Sequence, residues 1–347
     1  MRLTRQPGRL CSEEREPYMS KDNPYRPWDT DRNLLDEAWN ITRRHHGEYL
    51  IFYLPGMIRY GNLRGLYPAV SLTGDRCELQ CEHCKGLLLQ PMIPVEDPEA
   101  LVMKCRNLAQ SGRVGVLLSG GSDSKGRLPW ERFYDAISAV KSETGLFISV
   151  HSGFPDLATA ERLKQAGVDQ ALIDIMGDEQ TARDIYHLDG LHTVIDSLES
   201  LVVSGLEVVP HIVAGLMYGR MQAEDEALRI ISRVRPASLV IVVLTPLKGT
   251  PMSGASPPSP EEIARLIATA RLMMPSIPIS LGCERPRTGE GQIMEELAIQ
   301  AGVTRMAVWS EKTVDLALSL GLRPRFQPTC CSVAYREDFS VLLPVSL

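Results

Sequence analysis

The chain has 347 residues, 44% of them apolar, and a formal net charge of −6; it is long enough for one large domain or two ordinary ones, with a sizeable core. The acidic balance and the lack of a Lys/Arg-rich run argue against a nucleic-acid partner. No run of eighteen apolar residues occurs, and the N-terminal stretch "MRLTRQPGRLCSEEREPYMSKDNPYRPWDTD" has no apolar centre, so a cytoplasmic chain without a membrane partner is expected. In that reducing setting eight cysteines point to metal binding or catalysis before disulfides.

In chain order, "DRNLLDEAWNITRRHHGEYLIFYLPG" reads as a helix leading into a short apolar segment. Val-, Ile- and Leu-rich runs then recur at 67–74, 114–121, 146–153, 171–177, 207–216, 239–246, 278–286 and 305–310. Each is bounded by turn residues, as buried strands are. Between them lie amphipathic segments such as "DLATAERLKQAG" and "SPEEIARLIATARLMMP", which begin with Asp, Ser or Pro and often end at Gly, as helices do. Eight such units predict a full (β/α)8 TIM-type barrel. A doubly wound open sheet would show the same alternation, but no G-x-G-x-x-G follows the first strand. The expected organisation is a tail and helical extension over 1–60, the barrel over 61–322, and a C-terminal segment over 323–347 that caps the mouth. Chemistry is expected at the C-terminal ends of the strands and in the loops after them.

Directly after the first predicted strand, "CELQCEHC" places Cys77, Cys81 and Cys84 at C-x-x-x-C-x-x-C spacing. A [4Fe–4S] cluster usually takes four thiolates, so three leave one iron open as a binding site. Structural zinc is the competing reading, but it calls for four N or S ligands. His83, wedged between Cys81 and Cys84, is badly placed to be the fourth.

The triplet, followed after the second strand by Gly120 and Gly121, resembles the radical S-adenosylmethionine superfamily. His83 stands where that family usually has an aromatic residue. The resemblance implies a [4Fe–4S] cluster on Cys77, Cys81 and Cys84, S-adenosylmethionine on its open iron, an external electron donor, and a 5′-deoxyadenosyl radical as the product of reductive cleavage. It also implies that Gly120 and Gly121 contact the methionine amine and that the segment around Ile212 and Gly215 contacts the adenine. Ser149, His151 and Asp174 lie on predicted strands three and four, where alternation turns some of them to the lumen; Asp174 would suit the ribose hydroxyls or the methionine amine.

"TPLKGTPM" and "ISLGCERPRTGEGQIMEELAIQAGV" resemble the biotin synthase branch. In biotin synthase an auxiliary cluster is held by cysteines on internal strands together with an arginine; here predicted strands two to six have no cysteine. Cys105 falls mid-helix and reads as a small packed residue. Cys283, Cys330 and Cys331 remain as ligands of a second iron–sulfur cluster, with Ser332, Arg285 or Cys11 as candidates for a fourth. Alternatively the vicinal pair is simply buried, or is a local redox couple. A second cluster implies a sulfur source, and the combination resembles the two-component lipoyl synthases. That resemblance implies an octanoyl-lysine carrier protein as substrate and a related second radical protein as partner. A radical maturase or carbon-skeleton enzyme without sulfur insertion, and a non-enzymatic iron–sulfur sensor or scaffold, are the alternatives.

Overall fold

The computed structural model describes residues 29–287 and 289–340; Cys11 lies outside them. Eleven strands form one sheet: β1 Tyr49–Tyr53, β2 Ala69–Ser71, β3 Ile93–Pro94, β4 Gly115–Ser119, β5 Phe147–His151, β6 Gln170–Asp174, β7 Glu207–Ala214, β8 Leu239–Val243, β9 Ile279–Leu281, β10 Arg305–Ala307 and β11 Arg323–Gln327. Their spatial order is β11-β1-β10-β9-β8-β7-β6-β5-β4-β2-β3, and every ladder in the sheet is parallel. All eight predicted strands form and are neighbours in the predicted order.

Two further long strands come from segments assigned to the flanks. The apolar "YLIFY" of the extension is β1, and it pairs with β10 on one side and β11 on the other. The sheet curls until the segment entering β2 meets the segment leaving β11, where the Leu66 N–H donates to the Pro328 carbonyl at 2.6 Å. The barrel thus takes in strands from both the extension and the C-terminal segment.

The helices that cover the sheet start where their sequences say they should. Asp97 caps the helix Pro98–Gln110 by accepting from the Ala100 N–H, and Asp156 caps the helix Leu157–Gln165 through Thr159. Ser259 and Glu262 form a capping box at the helix Pro260–Met273, with Pro260 in its first turn. The outward strand faces and these helices share one buried apolar layer that includes Ile148, Leu163, Ile173, Ile241 and Ile267. Burying each such side chain contributes about 1.5–3 kcal/mol. Cys105 is fully buried in that layer on the helix Pro98–Gln110, as a packed residue should be. Among the described residues no helix is long and apolar enough to cross a membrane.

The inward face forms a smaller cluster of Tyr53, Leu172, Val209, Val240, Ala307 and Cys331. Cys331 reaches it because the chain after β11 enters the lumen instead of lying across the mouth. The Cys331 carbonyl accepts from Ser280 Oγ at 3.2 Å and from Arg305 at 3.3 Å, and the Ser332 carbonyl accepts from Arg305 at 3.1 Å and Gln170 at 3.2 Å. Backbone inside a barrel needs such partners. Gln170 and Arg305 open their strands and Ser280 is the second residue of its own, so the C-terminal segment plugs the barrel from the N-terminal end of the strands.

Candidate active site

The cysteine loop is pinned from several sides. The N–H groups of Glu78 and Leu79 donate to the Ser122 carbonyl at 2.8 and 3.3 Å, and that of Glu82 donates to the Ile185 carbonyl at 2.9 Å. Glu82 also pairs with Lys85 at 2.7 Å and with His187 at 3.0 Å. A turn in which Lys85 N–H donates back to the Cys81 carbonyl at 2.9 Å folds Cys84 against Cys81. Contact between the Cys81 and Cys84 thiols, together with burial, holds Cys81 well above the ordinary thiol range, while the same contact draws Cys84 below it. Cys81 is buried, and Cys77 and Cys84 are half-buried.

The glycine pair sits against this loop for a steric reason. Gly121 donates its N–H to Thr73 Oγ1 at 2.7 Å. A Cβ there would stand 2.0 Å from the Arg76 carbonyl oxygen and 2.5 Å from the Cys77 Cβ, so no larger residue fits without moving the loop. Gly120 is less confined, with Thr73 Oγ1 at 3.1 Å. A cavity of about 810 Å³ borders Cys77 and Gly121 and is also lined by Thr73, Asp123, Arg127 and Trp130, so the loop faces accessible space.

Among the described residues no three His, Cys, Asp or Glu side chains converge as they would on a single metal ion. A zinc site needs that convergence. A cubane does not, because each thiolate bonds a different iron at its own corner. Three neighbouring thiols on a loop pressed against a glycine fit the cluster and its open iron.

Ser149, His151 and Asp174 all turn toward the lumen. His151 Nε2 stands 3.6 Å from Asp174 Oδ1, and Tyr186 donates its hydroxyl to Asp174 Oδ2 at 3.1 Å. Tyr186 in turn packs on His83, with ring centroids 5.2 Å apart, and its charge environment includes Cys81 and Cys84. Asp174 therefore stands beside the cysteine loop, where a cosubstrate amine or hydroxyl would reach it. Ser149 is different: fully buried, its hydroxyl is held by Tyr67 at 2.7 Å, with Gln170 at 3.4 Å, which is a packing role. Ile212 belongs to the outer apolar layer and borders a narrow cleft with Met176 and Gly177, so its side chain does not share the lumen.

Deeper in the barrel, Cys283, Cys330 and Cys331 come within electrostatic reach of one another. Contact with Cys331, then with Ser332, draws the Cys330 thiol down to about 6, and the Cys331 thiol is pushed up by the same contact and by burial. His151 lies within electrostatic reach of Cys330. The Ser332 side chain is fully buried. Arg285, considered as a fourth ligand, is instead committed elsewhere: it pairs with Glu295 at 2.6 Å and donates to the carbonyls of Gly282, Ala307 and Val308 at 2.5, 2.7 and 2.8 Å. It clamps the ends of β9 and β10.

Sequence reasoning missed His211, Tyr186, Tyr53 and Arg305. His211 faces His151 across 5.6 Å, and burial, followed by His151, lowers it to about 4. Its signal was available as the one polar side chain of a histidine inside the apolar run "VVPHIVAG".

Comparison with known proteins adds an independent line. The family model described as the radical SAM superfamily matches residues 71–234, and the one described as the Biotin and Thiamin Synthesis associated domain matches 240–330; together they span most of the chain. The chain belongs to the radical S-adenosylmethionine superfamily, in its biotin synthase-like part. This radical SAM protein is 27% identical over 266 residues to the biotin synthase of Pelotomaculum thermopropionicum, covering 74% of this chain and 80% of that one. It is 25% identical over 326 residues to the biotin synthase of Alkalilimnicola ehrlichii, covering 88% and 92%. In fold it matches methylornithine synthase with a TM-score of 0.62 at 18% identity, over 86% of this chain and 90% of that one. The FeFe-hydrogenase maturase of Carboxydothermus hydrogenoformans gives 0.62 at 16%, over 90% and 75%. The superfamily implies a [4Fe–4S] cluster and S-adenosylmethionine, which the donor set of Cys77, Cys81 and Cys84 suits.

Proposed function

We propose that this radical SAM enzyme inserts sulfur into unactivated C–H bonds of an octanoyl chain carried on a protein lysine, with an auxiliary iron–sulfur cluster on Cys283, Cys330 and Cys331 as the sulfur source. The observation that carries the reading is that Cys331 turns into the inward cluster of the barrel with Cys283 packed against that cluster, and Cys330 precedes it in the chain. When bound, the triplet's cluster and S-adenosylmethionine supply a hydrogen-abstracting radical, which can open a C–H bond too strong for acid–base chemistry. The chain's own residues do the rest. Gly121 and Thr73 hold the loop, Asp174 and Tyr186 present polar atoms beside it, and the inward Leu172, Val209 and Val240 keep the space around the lower thiols apolar and dry, as a reactive radical requires. Ser332 is the remaining described candidate for a fourth auxiliary ligand, since Arg285 is occupied.

The same reading assigns an octanoylated carrier domain as substrate, a related second radical SAM protein as partner, and an external reductant as electron donor. Incubating the reduced enzyme and S-adenosylmethionine with an octanoylated carrier domain, with and without such a partner, should yield carrier whose mass has risen by one or two sulfurs. Formation of 5′-deoxyadenosine with no added sulfur under any of these conditions would reject sulfur insertion and favour a carbon-skeleton reaction.

A further inference from the structure

Tyr53 ends β1, the strand that lies outside the eight-unit repeat, and its ring is wedged among Leu172, Val209, Val240, Ala307 and Cys331. The side chain is fully buried, yet its hydroxyl oxygen has no hydrogen-bond partner. A buried hydroxyl left unpaired is destabilising, and a phenylalanine would fill the same space without that cost. Cys331, one of the three lower cysteines, packs in the same cluster as the Tyr53 ring. Packing explains the ring and leaves the O–H unexplained.

We propose that the Tyr53 hydroxyl donates a hydrogen bond to a sulfur of the auxiliary cluster held by Cys283, Cys330 and Cys331; the inference rests on the auxiliary-cluster reading above. A donor aimed at a cluster sulfur stabilises the reduced, more negative state and raises the reduction potential. Tyr53 would thereby set how readily the lower cluster accepts an electron, while a cluster on Cys77, Cys81 and Cys84, held by a separate loop, would not feel it. The side chain's locked position matters here, because a hydrogen bond to sulfur is weak and depends on alignment.

The test is Tyr53→Phe, which removes one oxygen and keeps the ring. Both the wild-type chain and the variant are reconstituted anaerobically, counted for iron, and titrated under electron paramagnetic resonance, with the triplet's cluster as reference within each sample. The inference expects an unchanged iron count, an auxiliary signal with a lower midpoint potential in the variant, and an unmoved triplet signal. In the unmodified chain it also expects an exchangeable proton coupled to the reduced auxiliary cluster, which serves if Tyr53→Phe fails to fold. An iron count matching one cluster in the wild type overturns the auxiliary-cluster reading and this inference with it. A count matching two clusters, with an unmoved auxiliary midpoint or no coupled exchangeable proton, overturns the Tyr53 assignment alone.

Discussion

The two cysteine groups of this barrel are built in opposite ways. Cys77, Cys81 and Cys84 come from one eight-residue stretch, at the mouth, in a loop held by its own turns and by Ser122, Ile185 and His187. Cys283, Cys330 and Cys331 come from the end of β9 and from a segment that has to thread back into the lumen. A local loop can present an open coordination site to solvent and cosubstrate. A group assembled from distant segments is enclosed by the whole fold, which suits a cluster that must meet substrate and nothing else.

The sharpest way to separate the groups is Cys81→Ala. It should abolish 5′-deoxyadenosine formation while the lower group keeps its iron, as read by product chromatography and iron analysis; continued cleavage would mean that the triplet is not the radical-generating site. Next in size, Gly121→Ala should displace the loop from the Arg76 carbonyl and Cys77, at a cost of about 1–3 kcal/mol, and should lower iron uptake at the triplet first. Full uptake and wild-type cleavage would show that the close approach is not required. Glu295→Ala acts on the other group. It leaves the buried Arg285 guanidinium without its carboxylate, a loss of about 3–5 kcal/mol, and frees the strand end that carries Cys283; an unchanged Tm would remove Arg285 from its clamping role.

A smaller effect lies outside both groups and serves as a control on them. His46 accepts from Arg271 at 2.9 Å, and burial, then Arg271, lowers its pKa to about 4. Its unfolded value is near 6.5, so the unfolded chain binds the extra proton first, and the stability it contributes is present above about pH 6.5 and lost as pH falls toward 4. In His46→Gln the fall of Tm across that window should be shallower, with both clusters retained. An identical slope would place the titration elsewhere.

How much of this was legible in the sequence follows the same division. The triplet, the glycine pair and the eight strands depend on short spacings and local periodicity, and the folded chain keeps them where they were expected. The auxiliary group could be read only as three leftover cysteines, because nothing local says that residues 329–333 enter the lumen. That path is set by Gln170, Ser280 and Arg305, which supply donors across three strands. Tyr53 was hidden for a related reason: "YLIFY" is a short apolar run outside the repeat, and only the register of β1 against β10 and β11 shows which of its side chains turn inward. Arg285 looked like a ligand because it neighbours Cys283, and only folding brings Glu295 to it.

The most direct test of the account is the iron and sulfide content of the anaerobically reconstituted chain alongside Cys331→Ala. Two clusters predict about eight iron per wild-type chain and about four in the variant, with 5′-deoxyadenosine formation preserved. About four iron in the wild type, unchanged in Cys331→Ala, would contradict it.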